Sequence, residues 1–274
     1  MKLDVMAIAA HPDDVELCCA GTLAVMVESG KRAGVLDLTR GEMGSRGTPQ
    51  LRLEEAKQAA KILGLSVREN ARLPDCGLEN IDQQREVVIR FVRKYKPEIC
   101  LINAPEDRHP DHRNAARLTL DALFYSGLPK LETRDSETGS LQEPWRPAHI
   151  LHFMQHWPFK PTIVVDIAST IEKKEAAIRA FSSQFLADDR SGGNKNAGQP
   201  DNVLDERGKQ EKKTGRDAEP QTFVSSRRFY EALRGRAREY GQHIGVEFGE
   251  PFLYYGGPVP AANLDFLLAN LPVR

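Results

Sequence analysis

The segment from Leu3 to Ala10 is apolar apart from Asp4 and runs directly into His11-Pro12-Asp13-Asp14. A short apolar run that ends on turn-forming residues fits a strand buried on both faces. Such strands belong to parallel sheets covered by helices on either side, because only that architecture removes both faces from water. The first segment of the chain therefore points to an α/β fold, and it sets a polar cluster at the carboxyl end of a central strand.

The rest of the first half supports that reading. Val35 to Leu38 and Ile99 to Ile102 read as neighbouring strands, with a weaker one near Asn70 to Leu73. Leu53, Ala56, Ala60 and Leu63 recur at helical spacing, as do Val88, Phe91, Val92 and Tyr95. Pro49 lies near the start of the first of these helices and Gly64 is its C-cap. A helix is expected from Leu17 to Ser29, a strand at Ile163 to Ile167, and helices at about 170–185 and 223–243. The fold class is thus α/β, Rossmann-like, with a mostly parallel sheet and helices on both faces. One domain over residues 1–274 is expected. Residues 187–221 carry glycines, asparagines and mixed charges with almost no large apolar side chain, so they are expected as a polar insertion or lid.

Composition narrows the partners. The 38 Lys and Arg nearly cancel the 39 Asp and Glu, so no overall basic field draws nucleic acid or an anionic membrane. No apolar run approaches the roughly 20 residues of a membrane span. Acidic and histidine residues interrupt the segment where a signal peptide would be apolar. Cys18, Cys19, Cys76 and Cys100 form no CxxC pair, and two are adjacent, which suits reduced thiols and a cytoplasmic protein.

In open α/β sheets ligands bind beyond the carboxyl ends of the strands. Taken alone, the aspartates of His11-Pro12-Asp13-Asp14 fit helix caps equally well. A second cluster, Asp107-Arg108-His109-Pro110-Asp111-His112, follows the strand at Ile99 to Ile102 and shifts the balance. Two imidazoles and one carboxylate are a common ligand set for catalytic Zn²⁺, with a fourth position left for water. His11, Asp14 and His112 supply that set. The metal lowers the pKa of its water to about 7, and Asp13 is the candidate base. His109 either stabilises the developing oxyanion or protonates the departing amine. Asp111 orients a histidine from behind or caps the helix. Zn²⁺ is the expected metal, and Fe²⁺ is also compatible.

Ala10-His11-Pro12-Asp13-Asp14 and His109-Pro110-Asp111-His112 resemble, in sequence and order, the paired signatures of the PIG-L/LmbE-like N-acetylglucosamine deacetylases. The resemblance implies metal ligation by His11, Asp14 and His112, Asp13 as general base, His109 assisting at the transition state, and removal of an acetyl group from an aminosugar. Thr39 to Thr48, Arg52 to Ala56, Leu73-Pro74-Asp75 and Arg236 to Gly241 are similar to the bacillithiol-biosynthesis branch, which acts on N-acetylglucosaminyl-malate. By that resemblance Arg52 and Asp75 contact sugar hydroxyls, and the chain forms a homo-oligomer, often a hexamer in the family. Arg46 is a candidate for pairing with malate's carboxylates, its alternative being a loop-stabilising arginine. Glu42 is either a substrate contact or part of the loop scaffold. Glycines 41, 44 and 47 would let that loop approach a ligand.

His149, His152 and His156, around a strand-like Ile150 to Met154, read as structural or rim residues. Trp145 and Trp157 read as packing anchors, and spacing does not place His243. Three rival functions remain: a thiol-conjugate amidase of the same family, a deacetylase of another N-acetylated sugar, and a non-catalytic sugar- or nucleotide-binding domain. The nucleotide-binding version is disfavoured, because the first turn lacks GxGxxG and carries acidic side chains where pyrophosphate would sit.

Overall fold

A computed structural model of the protein describes residues 1–185, 222 and 224–256. The expected polar insertion at 187–221 lies outside the described residues, Thr222 following it. In chain order the elements are β1 (Val5–Ala9), α1 (Asp14–Cys18), α2 (Ala20–Glu28), β2 (Ala33–Asp37), α3 (Pro49–Leu63), β3 (Val67–Asn70), α4 (Asp82–Tyr95) and β4 (Ile99–Ile102). They continue with α5 (Pro110–Tyr125), β5 (His149–Phe153), β6 (Ile163–Asp166), a 3₁₀ turn, α6 (Ile171–Ala180), α7 (Arg227–His243) and β7 (Gly249–Tyr254).

The strands form one sheet in the order β3-β2-β1-β4-β5-β7-β6. The first five of these are parallel, while β7 runs antiparallel between β5 and β6. β1 is buried along its whole length, and its alternate residues feed two cores. Met6 and Ile8 pack on one face with Val88, Val92, Leu118 and Leu123. Val5, Ala7 and Ala9 pack on the other with Val15 and Leu23. Full burial of each large aliphatic side chain among these contributes roughly 1.5–3 kcal/mol.

Local signals act as expected in α3. Thr48 caps it by accepting from the Leu51 N–H at 3.2 Å, Pro49 opens it, and Gly64 closes it at φ 70°. Two expectations are corrected. The helix expected over 17–29 is two helices broken at Cys19, where the backbone leaves helical geometry at φ −143°. A buried ion pair supplies the physical reason. Glu250 on β7 accepts from the N–H groups of Gly21 (3.0 Å) and Thr22 (2.7 Å), while Lys174 on α6 binds Glu250 and donates to the Leu17 carbonyl at 3.1 Å. The orphaned ends of both helices are thereby satisfied. The second correction is β3, which pairs three residues earlier than Asn70 to Leu73 because its Arg68 is drawn inward between Glu16 and Asp37.

Candidate metal centre and active site

β1 and β4 are adjacent and in register from Val5 opposite Ile99 to Ile8 opposite Ile102, so their outgoing loops leave the sheet side by side. Sheet order reverses there: β2 and β3 lie to one side of β1, and β4 and β5 to the other. That crevice is the switch point at which open α/β sheets bind ligands. The loop after β1 carries His11 and Asp13 and leads into Asp14 at the start of α1; the loop after β4 carries Asp107 and His109 and leads into Asp111 and His112 in the first turn of α5.

His109 is the N-cap of α5, and its Nδ1 accepts from the Asp111 N–H at 3.2 Å. Pro110 starts the helix, and His112 falls in its first turn, so the His109 and His112 rings stack with centroids 4.9 Å apart. Ligand atoms of His11, Asp14 and His112 all lie within 4.8 Å of one another. Asp14 Oδ1 faces His112 Nε2 at 3.2 Å, and Asp14 Oδ2 faces His11 Nδ1 at 3.6 Å. The far nitrogen of each ring is held from behind: His112 Nδ1 is 2.8 Å from Asp107 Oδ1, and His11 Nε2 is 3.1 Å from Asp75 Oδ1. Carboxylates behind metal-ligating imidazoles are the usual outer arrangement, so the donor set fits a divalent cation. Two other groups among the described residues are similarly compact, His11-His109-Asp111 and Asp75-Cys76-Asp111. Their carboxylates also bind backbone N–H groups of neighbouring loops. Asp111 Oδ2 accepts the Cys76 N–H at 2.7 Å, and Asp75 accepts from Met43 at 2.8 Å and Cys76 at 2.9 Å.

The electrostatics follow from burial among charges. Burial opposes charge on His112, yet the Asp14 charge and the Asp107 hydrogen bond outweigh it and hold the ring's pKa up at about 9. His11 is likewise raised, burial being outweighed by its bonds to Asp111, Asp14 and Asp75. Burial lowers His109, assisted by the neighbouring His11 and His112 charges. Its Nδ1 lone pair is used on Asp111, so the neutral ring carries its proton on Nε2. Asp14 is held well below the usual carboxylate range: burial opposes this, and the His112 and His11 charges and bonds overcome it.

Asp13 differs from its neighbour. Its backbone sits at φ 111°, a strained conformation for a side chain-bearing residue, and its carboxyl meets Arg52 where that of Asp14 meets His11 and His112. Burial pushes Asp13 up to about 7, against the pull of the Arg52 guanidinium. Arg52 Nη2 donates to Asp13 Oδ2 at 3.1 Å, and Nη1 donates to the Gly41 carbonyl at 3.2 Å. A carboxyl poised near neutrality beside a cation-binding cluster is suited to take up and return a proton.

A cavity of about 520 Å³ opens over this cluster, lined among others by Asp13, Arg46, Arg52, Asp75 and His109, with Val224, Phe229 and Leu233 forming an apolar wall near α7. The expected substrate contacts take distinct positions. Arg46 lines the cavity with its Nε donating to the Ser183 carbonyl at 2.8 Å. Glu42 accepts from the N–H groups of Arg40 (3.2 Å) and Asp75 (3.1 Å), bonds that a loop scaffold makes. Asp75 stands behind His11, and Arg52 holds Asp13. The glycine-rich loop closes on the protein's own side chains: a Cβ at Gly41 would lie 1.9 Å from Arg52 Nη1. Asp111 sits 3.5 Å from His11 Nε2, so the histidine it faces is the one on the other loop.

His156 lines the cavity, and its N–H and that of Trp157 donate to Asp107 Oδ2 at 2.7 and 3.0 Å. His152 is buried with Nδ1 2.6 Å from the Asn103 carbonyl; His149 meets the Tyr254 hydroxyl at 2.8 Å. Trp145 is anchored to the Pro97 carbonyl at 2.7 Å, and His243 is exposed at the end of α7 beside Tyr240. Sequence reasoning misses Asp107, Asn103 and Gln155. Asp107 has a usable signal, an acidic residue five positions before the candidate ligand His112 at a strand exit; the two neutral amides have none.

Comparison with known proteins places these features among relatives. The PIG-L family model, GlcNAc-PI de-N-acetylase, matches residues 6–123. Diacetylchitobiose deacetylase of Thermococcus kodakarensis is 32% identical over 194 residues, covering 67% of this chain and 71% of that protein. A probable N-acetyl-alpha-D-glucosaminyl L-malate deacetylase 2 of Bacillus anthracis is 25% identical over 66% of this chain and 81% of its own length. In structure, the conserved protein TT1542 of Thermus thermophilus superposes with a TM-score of 0.72 at 33% identity, covering 95% of this chain and 97% of that one. Among the described residues no helix is long and apolar enough to cross a membrane.

Proposed function

Because this chain belongs to the PIG-L family of de-N-acetylases, we propose that it hydrolyses the acetamide of an N-acetylglucosamine derivative, releasing acetate and the free amine. The observation that carries this reading is the His11-Asp14-His112 cluster, whose ligand atoms lie within 4.8 Å of one another, with the Asp13 carboxyl beside it held by Arg52.

His11 Nδ1, Asp14 and His112 Nε2 would hold a divalent cation, Zn²⁺ or Fe²⁺. When bound, such an ion supplies Lewis acidity and makes water a better nucleophile near neutral pH. Asp13 takes the proton of the water whose oxygen forms a bond to the acetyl carbon. His109 donates its Nε2 hydrogen bond to the oxyanion that develops there; being neutral, with a lowered pKa, it serves as a donor and not as the acid. The C–N bond then breaks, and the proton held by Asp13 passes to the departing nitrogen. Arg52 binds Asp13 while His11 and His112 face Asp14, so that base and ligand keep separate partners.

The finer substrate we propose is N-acetylglucosaminyl-malate, as in bacillithiol biosynthesis. Arg46, Arg108 and Arg236 line the cavity and would meet the two carboxylates of malate. A second reading, an N-acetylated chito-disaccharide, is favoured by the 32% identity to the Thermococcus enzyme. Acetate release by the metal-supplemented protein from N-acetylglucosaminyl-malate, diacetylchitobiose and free N-acetylglucosamine tests both. Fastest turnover on the malate conjugate supports the first, and fastest turnover on the disaccharide the second. Absence of acetate from all three, with metal bound, overturns the deacetylase reading.

A further inference from the structure

Asp14 is the sole carboxylate of the ligand set, and two neutral side chains from other loops bind it. Its Oδ2 accepts from the His11 N–H at 3.0 Å and lies 3.5 Å from Asn103 Nδ2. Its Oδ1, the oxygen facing His112, accepts from Gln155 Nε2 at 3.3 Å. Gln155 follows β5 and Asn103 follows β4, so they reach Asp14 from the side of the sheet away from β2.

The amide of Gln155 cannot turn over. Its Oε1 accepts from Asn103 Nδ2 at 3.0 Å and from the Ala104 N–H at 3.3 Å, and Asn103 is itself fixed because its Oδ1 accepts the Ala10 N–H at 3.0 Å. With that oxygen committed to two donors, only the NH₂ group can face Asp14. The Gln155 carbonyl also accepts from Arg236 Nη1, which ties the residue to α7. Both amides are buried, with Gln155 4% and Asn103 0% exposed.

We propose that Gln155 is a positioning residue for the metal centre: it holds Asp14 Oδ1 by one hydrogen bond and so keeps that oxygen facing His112 Nε2, where the two would hold a cation. This rests on the ligand assignment above. The lone pairs explain the arrangement. Oδ2 is used by the His11 N–H and Asn103 Nδ2, and Gln155 occupies one direction on Oδ1, which leaves the direction toward His112 Nε2. A neutral amide suits the task because it orients the carboxylate without adding a positive charge that would oppose the cation.

The test replaces Gln155 with Leu, and separately with Asn, which keeps an amide but withdraws it by one methylene. Zn²⁺ affinity is measured by competition with a chromophoric chelator, and the visible spectrum is recorded on the Co²⁺-loaded protein. The expected result is Zn²⁺ binding weaker by about 10–100-fold in both variants, with a changed Co²⁺ spectrum and a lowered kcat at unaltered KM. The Asn variant keeps the test decisive should Leu fail to fold, since Leu leaves Asn103 Nδ2 and the Ala104 N–H without their acceptor. Wild-type Zn²⁺ affinity and spectrum in a folded variant overturn the proposal, as does a raised KM with intact metal binding, which would make Gln155 a substrate contact. The metal readouts need no substrate, so a failure of the deacetylase reading would show separately, as missing acetate with metal binding unchanged.

Discussion

Acidification should expel the cation from this site, and the steepness of the effect counts protons. In the metal-free protein His112 lies between Asp14 and Asp107 and keeps its proton up to about 9. A cation must displace the Nε2 proton, while the Nδ1 proton stays on Asp107. The sign follows: a raised pKa means that below about 9 the protonated ring dominates, so apparent metal affinity rises with pH until that value is passed. Each displaced proton is worth tenfold per pH unit, so between pH 7 and 9 His112 alone accounts for about 100-fold, or about 2.7 kcal/mol. His11, also raised, makes the dependence steeper, whereas Asp14 remains ionised throughout. Chelator competition with Zn²⁺ across pH 6 to 9 measures the slope, and calorimetry in buffers of different ionisation enthalpy counts the protons released. Equal affinity at pH 7 and 9 with no proton release would refute the reasoning, because the two carboxylates would then not be holding the ring charged.

Asp13→Ala should keep Zn²⁺ and lose about 10²–10⁴ in kcat, as expected for loss of a general base; near-normal turnover would remove Asp13 from that role. His112→Ala should lose metal affinity itself, checked by metal content after dialysis. Replacing Arg46 with Met should slow acetate release from N-acetylglucosaminyl-malate more than from free N-acetylglucosamine, and equal losses would sink the carboxylate contact. Arg68→Met leaves Glu16 and Asp37 buried without their shared cation, so unfolding in denaturant should show a loss of about 3–5 kcal/mol. A loss under about 1 kcal/mol would mean that the pair relaxes at little cost.

The parts of the fold and site that announce themselves in the sequence do so through strong local contrast. β1 and β4 are apolar runs that end on charged clusters, and the same contrast marks His11, Asp14 and His112, which the fold brings together. β3 escapes a reading of local pattern because its Val67-Arg68-Glu69-Asn70 lacks an apolar signature; Arg68 is inward-facing only through its partners on α1 and β2, which are distant in sequence. The break at Cys19 is invisible for a similar reason, since the carboxylate that stabilises it arrives from Glu250. Arg52 and Asp75 stand out as polar residues, but only the fold shows that one holds Asp13 and the other backs His11. Asn103 and Gln155 carry no charge and no metal-ligand chemistry, so nothing in their residue type points to Asp14.

The insertion of β7 between β5 and β6 has a consequence for how the chain reaches its native state. Gly21 and Glu250 are 229 positions apart, yet the break that separates α1, which carries Asp14, from α2 depends on their contact. A nascent chain can pair β1 with β2 and β4 before β7 is made, but the start of α2 remains without its carboxylate cap until β7 has left the ribosome. Loop closure over such a span is slow compared with helix formation. The break beside His11 and Asp14 is therefore completed only once β7 is available, well after those residues themselves have been made.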